Sequence, residues 1–393
     1  MSDMLKKAQI MEKELVKFLS DIVAIPSLCG KEGAVIQRLK EEMESIGFDE
    51  VRVDGLGNLL GRIGNGPRTL VIDGHCDVVD VGERSLWKTE PFEPVLKDGV
   101  LYGRGAVDQK GGLGCAIQSA RLIKEAGLPE DVTLIIIAST LEEDIEGLSW
   151  KYMVQEEGLK ADAVLITEPT NLNLYRGHRG RLEMKVRTEG ISCHGSAPER
   201  GENAIYKMAP IIAEIEQLHK RLKDDAFLGK GSVTISNIRS GSPSLCAVAD
   251  SCEVHLDRRL TAGETIESAL AEIEALPSFQ KAGAKVWVPE SEYSTWSGAK
   301  YAMQAYMPTW VLEEEHPVLR TAIQSYKNLF AAAPKVDKWT FSTNGVGSMG
   351  MFGIPTFGFG PGNEVQAHAP NEGMPIEHLA KATAFYAEFV LNF

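Results

Sequence analysis

The chain has 393 residues, 44% of them hydrophobic, and Lys+Arg 41 against Asp+Glu 55 gives a formal charge of −14. That length exceeds the size at which one core stops growing, so two domains are expected. The acidic balance repels nucleic-acid phosphates and anionic membranes, which leaves a small molecule as the expected partner, with no nucleic acid and no membrane.

Residues 1–18 mix Lys6, Lys7, Glu12, Glu14 and Lys17 among apolar positions, the pattern of an amphipathic helix rather than of a secretion signal. No apolar run is long enough to span a bilayer. The cysteines, Cys29, Cys76, Cys115, Cys193, Cys246 and Cys252, form no CxxC pair, as expected of a reduced, cytoplasmic protein.

In chain order, periodicity predicts helices over residues 6–25 and 31–46 and a strand at 51–53. The buried run Leu70-Val71-Ile72 then leads into Asp73-Gly74-His75-Cys76-Asp77. After a helix over 112–126, the run Leu134-Ile135-Ile136-Ile137-Ala138 precedes Glu142 and Glu143, and Ala163-Val164-Leu165-Ile166 precedes Thr167-Glu168-Pro169. This alternation predicts an α/β fold, a mostly parallel mixed sheet flanked by helices.

Around residues 177–180 the pattern changes. Leu182, Met184 and Val186 alternate with charged residues, the period of a strand wet on one face. A helix over 203–222, strands at 231–238 and 251–256, a helix over 264–276 and a strand at 284–288 complete a β-α-β-β-α-β order, that of a ferredoxin-like α+β unit. Beyond a polar connector at 291–306, helices over 317–330 and 376–391 and a strand at 356–360 restore the first pattern. The expectation is a discontinuous catalytic domain, 1–177 and 297–393, with 178–296 inserted as a lid and dimerisation domain.

Three strand ends therefore carry carboxylate or imidazole. Ligand sites in open α/β sheets lie outside the carboxyl ends of the strands, so these groups are expected in one crevice. Asp, Glu and His without lysine predict a divalent metal. His75 and Asp77, two apart on an extended segment, share a side, which suits an imidazole ligand and the carboxylate that orients it. Asp108, in the turn-rich segment 101–112, either caps the following helix or bridges two metals. Glu142 and Glu143 point apart on an extended chain, so one can bind metal while the other faces substrate; the alternative is a solvated acidic turn with Asp144 and Glu146. Glu168, held before Pro169, is a third carboxylate candidate, and His368 closes a set of two imidazoles and three carboxylates. Gly358, Gly360 and Gly362, followed by Asn363, either expose N–H groups to a substrate anion or serve a turn.

The segments Gly74-His75-Cys76-Asp77-Val78-Val79, Gly103-Arg104-Gly105-Ala106-Val107-Asp108-Gln109-Lys110-Gly111-Gly112, Glu142-Glu143, Thr167-Glu168-Pro169-Thr170 and Ala367-His368-Ala369-Pro370-Asn371-Glu372 resemble the zinc-dependent aminoacylase family that includes glutamate carboxypeptidase, succinyl-diaminopimelate desuccinylase and acetylornithine deacetylase. The resemblance spans nearly the whole chain. It implies that His75 and Glu168 bind one metal, Glu143 and His368 the other, and that Asp108 bridges them. It implies Asp77 as the orienter of His75 and Glu142 as the general base. His194 would reach the oxyanion from the small domain, often across a homodimer, and Arg259 would grip a substrate carboxylate. Zinc is the implied ion, with cobalt or manganese also suited to these ligands.

Two segments depart from the family pattern. Cys246-Ala247-Val248-Ala249-Asp250 stands where Asn-Val-Ile-Pro-Asp is frequent, which removes an asparagine contact to substrate. Thr343-Asn344-Gly345-Val346-Gly347-Ser348 replaces a Gly-Gly-Thr-Asp-like segment. The expected activity is hydrolysis of an amide in an N-acyl amino acid or short peptide. Aminopeptidase, dipeptidase or carbamoyl-compound amidohydrolase activity on the same scaffold is the alternative. A non-catalytic, metal-stabilised binding protein is more remote, because a carboxylate such as Glu142 beside the metals is costly to retain as structure alone.

Overall fold

The computed structural model describes residues 2–393. The chain divides into two units. One holds the residues up to Gly177 together with Tyr293–Tyr301 and Val311–Phe393, and the other His178–Glu292 with Ala302–Trp310. The return crosses the division more than once, where the sequence placed a single boundary at 296/297. The segment read as a polar connector contains the strands Glu290–Ser294 and Lys300–Gln304. Their Ser, Glu and Lys content hides the apolar period that marks a buried strand.

The larger unit is built on an eight-stranded mixed sheet. At its centre Arg68–His75 runs parallel to both Val132–Ser139 and Ala163–Ile166. These strands are covered by helices on both faces, which explains why they read as nearly continuous apolar runs. Their register matters more than their composition. His75 lies opposite Ser139, and Asp73 opposite Ile166. The three strands thus end close to one level, and the segments carrying Glu142 and Glu168 leave the sheet beside His75. Thr356–Gly358 extends the parallel set next to Ala163–Ile166. The other edge is antiparallel, because Leu59–Ile63 pairs with Val132–Ser139 and Glu50–Val53 with Leu59–Ile63. Gly61 interrupts the Leu59–Ile63 run, and its two flanks are too short to show a period in the sequence.

The predicted first helix is divided at Met11 into Asp3–Ile10 and Glu12–Val23. The helix Lys110–Ala126 is buried along most of its length and packs against the closing helix Ile376–Asn392. Phe385 of that closing helix stacks on Phe359, with ring centroids 3.8 Å apart, and Phe389 meets Phe357 edge-on at 4.9 Å. These contacts pin the Thr356–Gly358 strand and the loop that follows it.

In the smaller unit Gly180–Glu189 and Ser251–Leu260 are the central strands, Ser232–Gly241 and Lys285–Trp287 the outer ones. Leu182, Met184 and Val186 face a core completed by Val254, Leu256, Met208, Ile211 and Ile215. The strand order is that of a ferredoxin-like unit. Its second helix starts at a capping box in which Thr265 and Ser268 satisfy each other's backbone N–H. Among the described residues no helix is long and apolar enough to cross a membrane, and all six cysteines are free thiols.

Candidate metal centre

Glu142 and Glu143 do not diverge from an extended chain. Leu141, directly before them, adopts a left-handed conformation with φ 61°, and the chain turns back through this point. Strain of this kind in a β-substituted residue is held only where the surroundings over-determine it. Here the Leu141 N–H donates to the buried Glu32 carboxylate at 3.3 Å. Asn344 fixes the same turn at both ends, donating to Ser139 Oγ at 2.9 Å and accepting from the Gly147 N–H at 2.9 Å.

The turn sets the two glutamates against different partners. Glu142 Oε2 lies 3.8 Å from His75 Nε2, and Glu168 Oε1 approaches the same nitrogen at 3.3 Å. Glu143 Oε2 lies 2.8 Å from His368 Nε2. Asp108 stands between the imidazoles, with Oδ1 3.1 Å from His75 Nε2 and Oδ2 3.5 Å from His368 Nε2. Two groups result whose ligand atoms all lie within 4.8 Å of one another: His75, Asp108 and Glu143, and His75, Glu142 and Glu168. His75, Asp108, Glu142 and Glu168 are buried, and His368 is the exposed member.

The donor set fits divalent cations. Glu142 Oε1, Glu143 Oε1 and Glu168 Oε2 are buried with no hydrogen-bond partner. Orphaned carboxylate oxygens around two imidazoles are costly unless a cation satisfies them. The electrostatics agree. Burial, reinforced by Glu168, Glu146 and Glu143, holds the Glu142 carboxyl well above the carboxylate range. Burial and Asp108 push Glu143 up to about 8 and Glu168 to about 7. Burial disfavours the His75 cation, yet Glu142, Asp108 and Glu168 carry it well above its ordinary value. The hydrogen bond to Glu143 raises His368 to about 9.

Several supporting residues have no role in the sequence reading. Gln109 donates to Glu168 Oε1 at 2.7 Å and accepts from the Thr167 hydroxyl, tying the Asp108 loop to the Glu168 segment. Glu372 accepts the N–H groups of Gly105, Val107 and Asp108 at 3.0, 2.6 and 2.8 Å. Both lie inside the motif segments, but neither residue type announces a supporting role by spacing. Three glycines crowd the Thr167–Glu168 junction. A Cβ would fall 2.5 Å from Thr167 Oγ1 at Gly74, 2.1 Å from Thr167 O at Gly112 and 2.2 Å from Glu168 O at Gly360.

Two sequence readings need correction or refinement, those of Asp77 and the glycine-rich loop. Asp77 meets His75 Nδ1 through its main-chain carbonyl at 3.0 Å, with Oδ1 at 3.6 Å. Its Oδ2 accepts instead from the Glu143 N–H at 2.9 Å and the Cys29 thiol at 3.2 Å, so Asp77 orients the second glutamate as well. The glycine-rich loop does not offer its N–H groups to an anion. The Gly360 N–H donates to Thr170 Oγ1 at 3.0 Å and the Gly362 N–H to His378 Nδ1 at 3.2 Å, while Asn363 caps the short helix Glu364–Gln366. These glycines are there for close packing and turn geometry. In the smaller unit Arg259 is engaged by Asp257, with Nε 2.9 Å from Oδ1 and Nη2 3.0 Å from Oδ2. His194 is exposed in the same unit, its Nδ1 2.7 Å from Ser196 Oγ.

The model of peptidase family M20/M25/M40 matches residues 71–392. The chain is 48% identical over 388 residues to the uncharacterized protein YgeY of Escherichia coli (strain K12), covering 99% of this chain and 96% of that one. It is 28% identical over 355 residues to the N-formyl-4-amino-5-aminomethyl-2-methylpyrimidine deformylase of Bacillus subtilis (strain 168), covering 86% and 82%. The structure of aminopeptidase PepT from Bacillus cereus superposes with a TM-score of 0.74 at 20% identity, covering 97% of this chain and 98% of that one. The acid and imidazole cluster, the mixed sheet and these matches agree with the resemblance drawn from the motifs. The chain belongs to peptidase family M20/M25/M40 and is a metal-dependent hydrolase of the peptidase or deacylase type.

Proposed function

We propose that the chain cleaves the amide bond of an N-acyl amino acid or short peptide, with Glu142 as the general base. His75 and Glu168 hold one divalent ion, Glu143 and His368 the other, and Asp108 lies between them; zinc is the expected metal, cobalt and manganese being compatible with the same donors. Ions bound there lower the pKa of water and polarise the scissile carbonyl.

The observation that carries the reading is Glu142 itself. Its Oε2 faces His75 Nε2 at 3.8 Å while Oε1 is buried without a partner. Burial places this carboxylate beside the imidazole and away from bulk water, where a positioned acid can take and return a proton. Glu142 Oε1 takes the proton of the attacking water and delivers it to the departing nitrogen. His194 donates to the oxyanion, and Arg259 binds a substrate carboxylate by exchanging it for Asp257. A homodimer through the smaller unit is supported by its outer strand Ser232–Gly241, which leaves Ile238 exposed.

The test is Glu142→Gln, assayed for turnover and metal content on N-acyl and N-formyl amines, dipeptides and carbamoyl compounds. Turnover should fall roughly 10²-fold or more with metal content unchanged. Full activity would exclude the base role, and loss of metal would place Glu142 among the ligands.

A further inference from the structure

Arg104 and Glu372 lie outside the acid cluster, yet they are 2% and 1% exposed. Arg104 Nη1 donates to Glu372 Oε2 at 2.9 Å. A buried ion pair is weak evidence of stabilisation, since desolvation offsets the attraction, so what matters is what else the two groups hold. The Glu372 carboxylate is wrapped by the loop that presents Asp108, accepting the N–H groups of Gly105, Val107 and Asp108. Arg104 reaches the other way. Its Nη1 donates to Ala369 O at 3.3 Å, and Nη2 lies 3.4 Å from Asp80 O and 3.5 Å from His368 O. Its plane lies over Trp87, 5.0 Å from the ring centroid.

One charge pair therefore joins the segment after His75, the loop of Asp108 and the loop of His368. A short sheet sets its register, with Gly373 opposite Tyr102 and the Gly103 N–H donating to Glu372 O at 3.0 Å. The two sides of the cluster differ in how they are held. His75 ends a strand of the main sheet, and Glu168 follows another and is tied by Gln109. His368 is exposed on a loop with φ 61° and has no strand ladder to place it.

We propose that Arg104 and Glu372 are positioning residues that set the separation of Asp108 from His368, and that occupancy of the ion site shared by Glu143 and His368 depends on them more strongly than does that of the His75–Glu168 side, which shares only Asp108 with it. This rests on the two-ion reading above. The supporting shell of a metal site is typically worth 10–100-fold in affinity.

The test titrates the metal-free full chain with zinc against a chromophoric chelator, for wild type, Glu372→Gln, Arg104→Lys and His368→Ala, alongside near-UV circular dichroism and thermal unfolding. Wild type should bind two ions. Glu372→Gln and Arg104→Lys should weaken the second ion roughly 10–100-fold, approaching His368→Ala, and the first ion by clearly less, with a cooperative fold retained. Wild-type binding of both ions by both variants would overturn the proposal, as would equal weakening of both ions. If both metal-free variants fail to fold, the pair serves the fold and the proposal falls; if only one folds, its titration decides. Fewer than two ions on the wild type would instead remove the two-ion reading.

Discussion

His368 Nε2 sits 2.8 Å from Glu143 Oε2 although 225 positions separate them in the chain. An imidazole so placed completes the cluster only if it is a ligand. His368→Ala should bind one fewer ion per chain after exhaustive dialysis, measured by elemental analysis. Turnover should fall by roughly 10² or more, since the remaining carboxylates would hold the second ion too loosely. Two retained ions would remove His368 from the set.

Gly360 tests the packing at Glu168. An added Cβ would lie 2.2 Å from Glu168 O and 2.3 Å from Thr167 O, both backbone atoms that cannot rotate aside. Gly360→Ala should cost about 1–3 kcal/mol in urea unfolding and lower zinc affinity through displacement of Glu168. Unchanged stability would show that this junction yields.

Glu32 supplies a pH signature. Burial, aided by Asp77, raises its carboxyl from 4.5 to about 7. A raised folded-state value means the neutral acid is favoured in the fold. The contribution is thus complete below about pH 4.5 and lost as pH rises through about 7. Glu32→Gln keeps an acceptor for the Gly30 and Leu141 N–H groups without the charge. Its stability relative to wild type should therefore improve between pH 4.5 and 7, by at most about 3 kcal/mol. Chemical denaturation of both proteins at several pH values measures this; a pH-independent difference would refute it.

Phe385 isolates the core from the chemistry. It stacks on Phe359 at 3.8 Å and is fully buried. Phe385→Ala should cost about 3–5 kcal/mol while zinc stoichiometry stays at the wild-type value. Loss of an ion would mean that the closing helix shapes the site directly.

The apolar runs before His75, Glu142 and Glu168 were legible because a helix-covered parallel strand must be apolar on both faces. Their register was not, and it is register that brings His75 level with Ser139. Leu59–Ile63 was missed because Gly61 breaks its period, and the division of the first helix at Met11 leaves no mark on amphipathicity. Residue type identified the ligand candidates but not the donors around them. Nothing in the spacing shows that Thr170 and His378 take the Gly360 and Gly362 N–H groups, or that Glu372 gathers three backbone donors. Such contacts are settled by tertiary geometry alone.

Chain order gives the Arg104–Glu372 tie one more meaning. During synthesis His75, Asp108, Glu142, Glu143 and Glu168 are all made before the smaller unit, whereas His368 and Glu372 follow it. A nascent polypeptide at that stage carries crowded acids without their second imidazole, and the Asp108 loop has no carboxylate to wrap. If the two-ion proposal holds, such a chain offers a cation only a half-built cage, and full loading awaits synthesis of the segment that carries His368 and Glu372.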